Sequence, residues 1–325
     1  MEKPIEYCIK NRLREAGTFQ FFMHQFVEAA IEYGIKPIGR GKRYKGLARL
    51  FSKYTIIFFS LIGHTLKLSK KRIIVTSNGA SLLYDSWPYF HFEIIPMLWD
   101  CWPDTFDKLI RSLKTLKVKE AFFTQSAVAN MVSEVLGIKT HWIPEGIDTS
   151  DYQKGESLSK RSIVLYELGR QHPQYHKIIM KLLSDDPILS YRSNTYNSDG
   201  ELQKLAFSSA QDLIDSLPDI QITVSFPKSM THPETSGGIE TLTQRYWESM
   251  LTRSLIVGHC PNELLQVLGY NPVIEVDWEK PEAQLRTIIS NIQKYQHLVD
   301  KNYQSALSHA SWTNRIKQID SLLKG

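Results

Sequence analysis

Cysteine is scarce: there are three in 325 residues, and Cys8, Cys101 and Cys260 lie far apart. No CxxC pair or zinc spacing can be built from them. An odd, dispersed set does not make the disulfide framework of a secreted scaffold either. The opening MEKPIEYCIKNRLREAG lacks the apolar core of a signal peptide, so the expectation is a cytosolic protein. The standard phosphate loops are missing too. GRGKRYKG (39–46) has glycines but contains neither GK[ST] nor GxGxxG. No GxSxG, HExxH or protein-kinase signature occurs, and there is no internal repeat or low-complexity tract.

Acidic residues vanish from one region. Between Gly34 and Arg72 there is no Asp or Glu, while Lys36, Arg40, Lys42, Arg43, Lys45, Arg49, Lys53, Lys67, Lys70, Lys71 and Arg72 are all cationic. Inside this block, LARLFSKYTIIFFSLIG (47–63) is interrupted by Lys53, and its uncharged part falls short of the ~20 residues a helical span needs. A basic apolar segment of this kind can lie on an anionic membrane surface, or it can be a buried core helix flanked by solvated lysines. Nucleic acid is not expected as a partner, because no recognition motif accompanies the charge.

What is present is alternation. Strand-like apolar runs RIIVTSN (72–78), FEIIPML (92–98), EAFFTQ (120–125) and THWIPE (140–145) are separated by helical patterns at 104–116 and 126–137. Ser126 is placed to cap the second of these and Gly137 to stop it. After the polar stretch GIDTSDYQKGESLSK (146–160) a second series follows: RSIVLYELG (161–169), DPILSYRSN (186–194), IQITVSFP (220–227), RSLIVG (253–258) and NPVIEVD (271–277). The last fifty residues read as helical. This order predicts an α/β protein of two parallel-sheet units, which would create a cleft where strand C-termini and helix N-termini meet a ligand.

GIETLTQRYWESM (238–250) sets Glu240 and Glu248 eight positions apart, behind Gly237 and Gly238. Eight steps of an α-helix is slightly over two turns, which would place both acids on one face. If the helix starts later, Glu240 lies in the loop before it, beside unpaired N–H groups that favour anions.

Three segments together carry a resemblance. HWIPEGIDTSDY (141–152) resembles the I-P-N-G-hydrophobic-D crossover of retaining glycosyltransferases with the two-domain GT-B fold, with Glu145 in place of the usual Asn. VLYELGRQHPQYHK (164–177) looks like that family's strand ending in Gly-Arg with a Lys shortly after, and Glu240-x7-Glu248 matches its E-x7-E motif. PMLWDCWPD (96–104) is partly similar to its T-L-H-D-x-W-P segment, with Trp99 at the His position.

The resemblance covers roughly residues 70 to 325 and implies two Rossmann-like domains facing a cleft. These would be an acceptor-side domain over 1–150, a nucleotide-sugar-binding domain over 151–305, and a helix over 306–325 that crosses back to the first. It implies transfer of a sugar from a nucleoside diphosphate to a glycan or lipid-linked acceptor with retention, in bacterial surface polysaccharide or lipopolysaccharide synthesis. The enzyme would be cytoplasmic, with peripheral attachment at the inner face of the membrane left open.

The same resemblance assigns roles. Arg170 and Lys177 would offset the charge growing on the diphosphate leaving group, and Glu240 would hold hydroxyls of the transferred sugar. Glu248 would take the ribose hydroxyls. Gly169, Gly238, Thr241, Leu242 and Thr243 would contact the donor. Asp100 would be an acceptor-side ligand or weak base, Trp99 a wall for a sugar ring, and His91 a source of the missing imidazole. His172 and His176 would be exposed or would assist the phosphates; Arg245 would pair with a nearby acid or reach a phosphate. No metal or other cofactor is implied.

The sequence also departs from the family. Thr241, Leu242 and Thr243 stand where the family has Gly-Phe-Gly. With Trp99 at the His position, this leaves a second reading open: a catalytically degenerate member that binds a nucleotide-sugar or a partner glycosyltransferase.

Overall fold

The computed structural model describes residues 7–12, 22–39, 58, 71–196 and 202–324. The chain divides into a first unit, Met1–Pro144 with Trp312–Gly325, and a second, Glu145–Ser311.

The first unit is built on a parallel sheet of β1 (Tyr7–Lys10), β2 (Lys36–Ile38), β3 (Arg72–Asn78), β4 (Glu93–Trp99), β5 (Glu120–Phe123) and β6 (Lys139–Trp142), in the order β2-β1-β3-β4-β5-β6. The runs expected to be strands are β3 to β6. β3 and β4 pair along their whole length, from Arg72 opposite Glu93 to Asn78 opposite Trp99. Both are buried almost without alternation, as central strands of a parallel sheet are.

The helices Phe22–Glu32 and Trp312–Lys324 contribute Phe26, Val27, Ala30, Trp312, Ile316 and Ile319 to one core with Ile74, Ile95 and Met97. Asp320 ties this last helix down by accepting from the hydroxyls of Tyr7, at 2.7 Å, and Tyr33, at 2.9 Å. In the helix Ser126–Leu136 the residue before the first turn is Gln125, so Ser126 is already helical and does not cap it. Gly137, in the left-handed region at φ 63°, ends it as expected.

The second unit holds β7 (Ile163–Glu167), β8 (Tyr191–Ser193), an antiparallel pair β9 (Thr195–Tyr196) and β10 (Leu202–Lys204), then β11 (Ile220–Ser225), β12 (Leu255–Gly258) and β13 (Val273–Glu275). Its parallel sheet runs β13-β12-β11-β7-β8. From β7 the chain goes first to β8 on one side and later to β11 on the other. The topological switch therefore lies between β7 and β11, where open α/β sheets leave a crevice beyond the strand C-termini.

The segment 47–63, read as a membrane-surface or core helix, lies outside the described residues apart from Phe58. No helix among the described residues is long and apolar enough to cross a membrane.

Candidate functional site

The helix Gln244–Leu251 is the frame of the site. Its eight residues begin after Thr243, so Glu240 lies in the preceding loop and Glu248 in the helix, the loop-plus-helix arrangement. Tyr246, Trp247, Met250 and Leu251 face an apolar cluster with Ile147, Leu242 and Ile256. Three polar contacts fix its rotation. Trp247 Nε1 donates to the carbonyl of Glu145 at 2.8 Å, Tyr246 OH donates to the carbonyl of His259 at 2.8 Å, and Thr223 Oγ1 on β11 donates to Ser249 Oγ at 2.8 Å. Gln244 Nε2 adds a bond to the Gly146 carbonyl at 2.8 Å, so the crossover segment Glu145–Ile147 is sewn to this helix.

With that face buried, Arg245 and Glu248 are left half-buried. Glu248 Oε1 accepts from Tyr152 OH at 3.1 Å. Burial raises the Glu248 pKa, against the lowering influence of the Tyr152 bond and the Arg245 charge. The Arg245 guanidinium lies against Gly169, just beyond β7. An added Cβ at Gly169 would stand 2.8 Å from Nη2, 2.9 Å from Cζ and 3.0 Å from Nη1. Gly169 also has φ 89°, a backbone that favours glycine, and the Arg245 fork occupies the space its missing Cβ leaves. Its carbonyl accepts from Tyr196 OH at 3.3 Å.

Around the same edge, Glu167 closes β7 with 1% exposure. Its Oε2 accepts from His176 Nδ1 at 2.7 Å, from Gln171 Nε2 at 3.4 Å and from Tyr191 OH. The bond to Glu167 raises the His176 pKa. His172 precedes the helix Pro173–Asp185 and accepts the Tyr175 N–H at 3.4 Å, while its ring packs on Phe226 and Trp278. Burial lowers its pKa. Both histidines, expected as exposed side chains or phosphate helpers, are half-buried parts of this edge.

Arg170 is half-buried and close enough to His232 that, after burial, its charge is the main influence lowering that imidazole. Lys177 is exposed on the helix Pro173–Asp185, one position past His176 and so rotated about 100° around the axis. Gly169, Arg170, Arg245 and Glu248 thus gather at the switch edge, and Lys177 does not join them in any hydrogen bond or ion pair among the described residues.

Glu240 anchors a second cluster. Its Oε1 accepts the Asn262 N–H at 2.7 Å, and its Oε2 lies 3.4 Å from His259 Nε2. His259 Nδ1 is 2.9 Å from Glu275 Oε2 on β13. Bonds to Glu240 and then Glu275 push the His259 pKa up to about 10, so the ring is an imidazolium at neutral pH. Burial alone would raise Glu275, but His259, the Cys260 N–H and Asn271 hold it below the usual carboxylate value.

Three expected site residues are placed otherwise. Leu242 is wholly buried in the apolar cluster and its N–H donates to Glu263 Oε2 at 2.7 Å, so neither its side chain nor its amide is available to a donor. Thr241 is 6% exposed and its hydroxyl donates to the same Glu263 oxygen at 3.1 Å. Trp99 is 2% exposed, with Phe22, Phe26 and Trp312 around its ring, and is a core residue instead of a sugar wall. The others are open. Gly238 is exposed at φ 77°, and Thr243 is half-buried ahead of the helix. His91 is exposed, and Asp100 is exposed just past β4 with φ 47°, a conformation aspartate tolerates better than most residues. The residue whose position the sequence left undecided is Arg245. Its only signal was a cation one turn before the second acid.

No family model matches the chain, and no curated protein matches it. Solved structures do. HepE of Anabaena in complex with UDP and glucose aligns with TM-score 0.59 at 12% identity, over 98% of this chain and 99% of that one. Sucrose-phosphate synthase from Thermosynechococcus elongatus aligns with TM-score 0.58 at 11% identity, over 98% and 95%. A glycosyltransferase from Rickettsia africae ESF-5 aligns with TM-score 0.55 at 13% identity, over 98% of each chain. At such identities the likeness is one of fold. Both units of this chain are Rossmann-like α/β layers, the fold of GT-B glycosyltransferases.

Proposed function

We propose that the protein is a glycosyltransferase that moves a sugar from a nucleoside diphosphate to a glycan or lipid-linked acceptor with retention. The observation that carries this reading is the Arg245 guanidinium lying against Gly169 at the switch edge of the second unit, with Arg170 next in the chain and Glu248 one helical turn from Arg245. A carboxylate suits the two hydroxyls of a ribose, and fixed guanidinium groups suit the adjoining phosphates.

In the proposed reaction the bond between the sugar's anomeric carbon and the diphosphate oxygen breaks while the acceptor hydroxyl oxygen bonds to that carbon from the same face. The hydroxyl proton passes to the departing phosphate. Charge builds on the leaving group, and preorganised cations that do not have to reorganise lower that barrier. Arg170 serves the leaving phosphate, Lys177 is the second cation assigned to it, and Glu240, held by His259 and the Asn262 amide, takes hydroxyls of the transferred sugar. Gly238 and Thr243 border the donor. Asp100 and His91 serve the acceptor from the first unit. The basic block 34–72 suggests an acceptor presented at an anionic membrane surface, as in bacterial surface polysaccharide synthesis.

A panel of UDP-, GDP- and ADP-sugars tests this. Wild type should release nucleoside diphosphate from at least one donor, and Arg170→Ala should slow that release by about 100-fold, in the range seen when one preorganised charge donor is removed. One observation favours a second reading. The Thr241 hydroxyl and Leu242 amide are committed to Glu263 where the family has glycines. A degenerate protein that binds the nucleotide-sugar without turning it over would bind a donor yet release no more product than Arg170→Ala.

A further inference from the structure

Arg245 is held in an unusual way for a partly buried arginine. Its side chain makes no hydrogen bond or ion pair among the described residues, and Nη1 is sealed from solvent with no hydrogen-bond partner. A buried guanidinium nitrogen without an acceptor is costly, so a structure that retains one either loses stability there or leaves the place to a ligand. Glu248, one turn along the same helix, does not come within ion-pair distance. It instead takes the Tyr152 hydroxyl.

The orientation is informative. The position a Cβ would take on Gly169 is nearly equidistant from Nη1, Cζ and Nη2. Equal distances to three atoms of a planar fork place that position over the face of the guanidinium and away from its donor edge. Gly169 therefore stacks on the flat side and leaves the N–H edges directed elsewhere.

We propose that Arg245 is an anion-binding residue of this site, and that it takes the phosphate next to the nucleoside held by Glu248. This rests on the nucleotide-sugar reading and names a group within it that meets the diphosphate. The spacing suits the chemistry: guanidinium and carboxylate sit one helical turn apart, as a phosphate and a ribose diol sit on adjoining parts of one nucleotide. The glycine face backs one side of the fork, and the planar fork favours bidentate contact with a phosphate over the single charge of a lysine. Glycine at 169 and arginine at 245 then form one device, in which the first makes room for the second.

The test is calorimetric binding of UDP, GDP and ADP, and of uridine, guanosine and adenosine, to wild type, Arg245→Gln and Arg245→Lys, with melting curves to establish that each is folded. For the base that wild type prefers, Arg245→Gln should bind the diphosphate about 10- to 100-fold more weakly, the range for a lost hydrogen bond to a charged group, and the nucleoside within about twofold. Arg245→Lys, which keeps the charge without the fork, should fall between the two. The proposal is overturned if Arg245→Gln, or Arg245→Lys should the first variant not fold, binds the diphosphate as wild type does. A loss of nucleoside and diphosphate in equal measure overturns it as well, since that reports general damage to the site. Wild type that binds none of the three diphosphates sinks the nucleotide-sugar reading itself, and the inference with it. Binding by wild type that the variants match sinks the inference alone.

Discussion

Replacing Gly169 by alanine isolates the part of this site that the backbone controls. At φ 89° an L-residue is strained, and left-handed backbone costs roughly 1–2 kcal/mol. The added methyl would also stand 2.8–3.0 Å from the Arg245 fork. The obstructing atoms are the far end of a flexible side chain, so the fork can swing aside for about 0.5–1.5 kcal/mol of rotamer strain.

Gly269 supplies the control. It has φ 72° with nothing within 4 Å of its added Cβ, at the end of the helix Asn262–Leu268. Gly269→Ala therefore carries the backbone strain without the collision. Each kcal/mol is worth about 2–4 °C in a unit of this size, so the control should melt ~2–8 °C below wild type and Gly169→Ala a few degrees lower still. The melting curves overlap too much to decide the matter. Nucleoside diphosphate binding should decide it: Gly269→Ala should bind as wild type, and Gly169→Ala about tenfold or more weakly, because its fork is displaced. Equal affinities in the two alanine variants would refute the claim that Gly169 seats Arg245.

Two further outcomes follow from other parts of the chain. The His259 pKa is raised in the folded state to about 10, so the stability it contributes is fully present below its ordinary value near 6.5 and is lost as pH rises through about 10. The melting temperature of wild type should exceed that of His259→Gln most at pH 6 and converge on it by pH 10; a gap that does not change with pH would show that the ring is not charged between Glu240 and Glu275. For the basic block, flotation with liposomes should carry the protein upward when anionic lipid is included and leave it behind when it is not, and equal recovery in both would remove the membrane surface from the proposal.

How far the sequence could be read depends on what each residue's neighbours are. β3 and β4 were legible because RIIVTSN and EIIPMLW are unbroken apolar runs long enough to be buried on both faces. β1 and β2 were not. YCIK and KPI are four and three residues long, and they become strands only by pairing with each other and with β3. The loop-plus-helix form of 238–250 was readable from the two glycines and the apolar spacing of Tyr246, Trp247 and Met250. Leu242 was misplaced for an instructive reason. Alignment to a glycine loop put it at a donor, whereas its own apolar side chain calls for the core, which is where it lies. Trp99 follows the same logic as the final residue of a buried strand. Arg245 could not have been placed from sequence at all, since an acid at i+3 offers a local partner and only the tertiary approach of Gly169 shows that the partner is not used.

The two acids that share one spacing are held in opposite ways, and this difference bears on what each can do. Glu240 has a bond to each oxygen and an imidazolium beside it, so its direction is fixed and its charge largely offset. It is suited to hold hydroxyls without adding a full negative charge near a sugar whose anomeric carbon becomes electron-poor. Glu248 has a single hydroxyl donor and a cation that does not bond to it, and burial makes its charge costly. A carboxylate in that state gains most from a ligand that donates two hydrogen bonds at once, and a ribose diol does so. Tyr246 joins the two clusters, since its hydroxyl bonds to the His259 carbonyl while its ring packs under the helix that carries Glu248. The eight-residue spacing thus sets two carboxylates of unlike environment on one loop and helix, and under the proposed function their unlike environments, more than the spacing itself, would separate a sugar site from a ribose site.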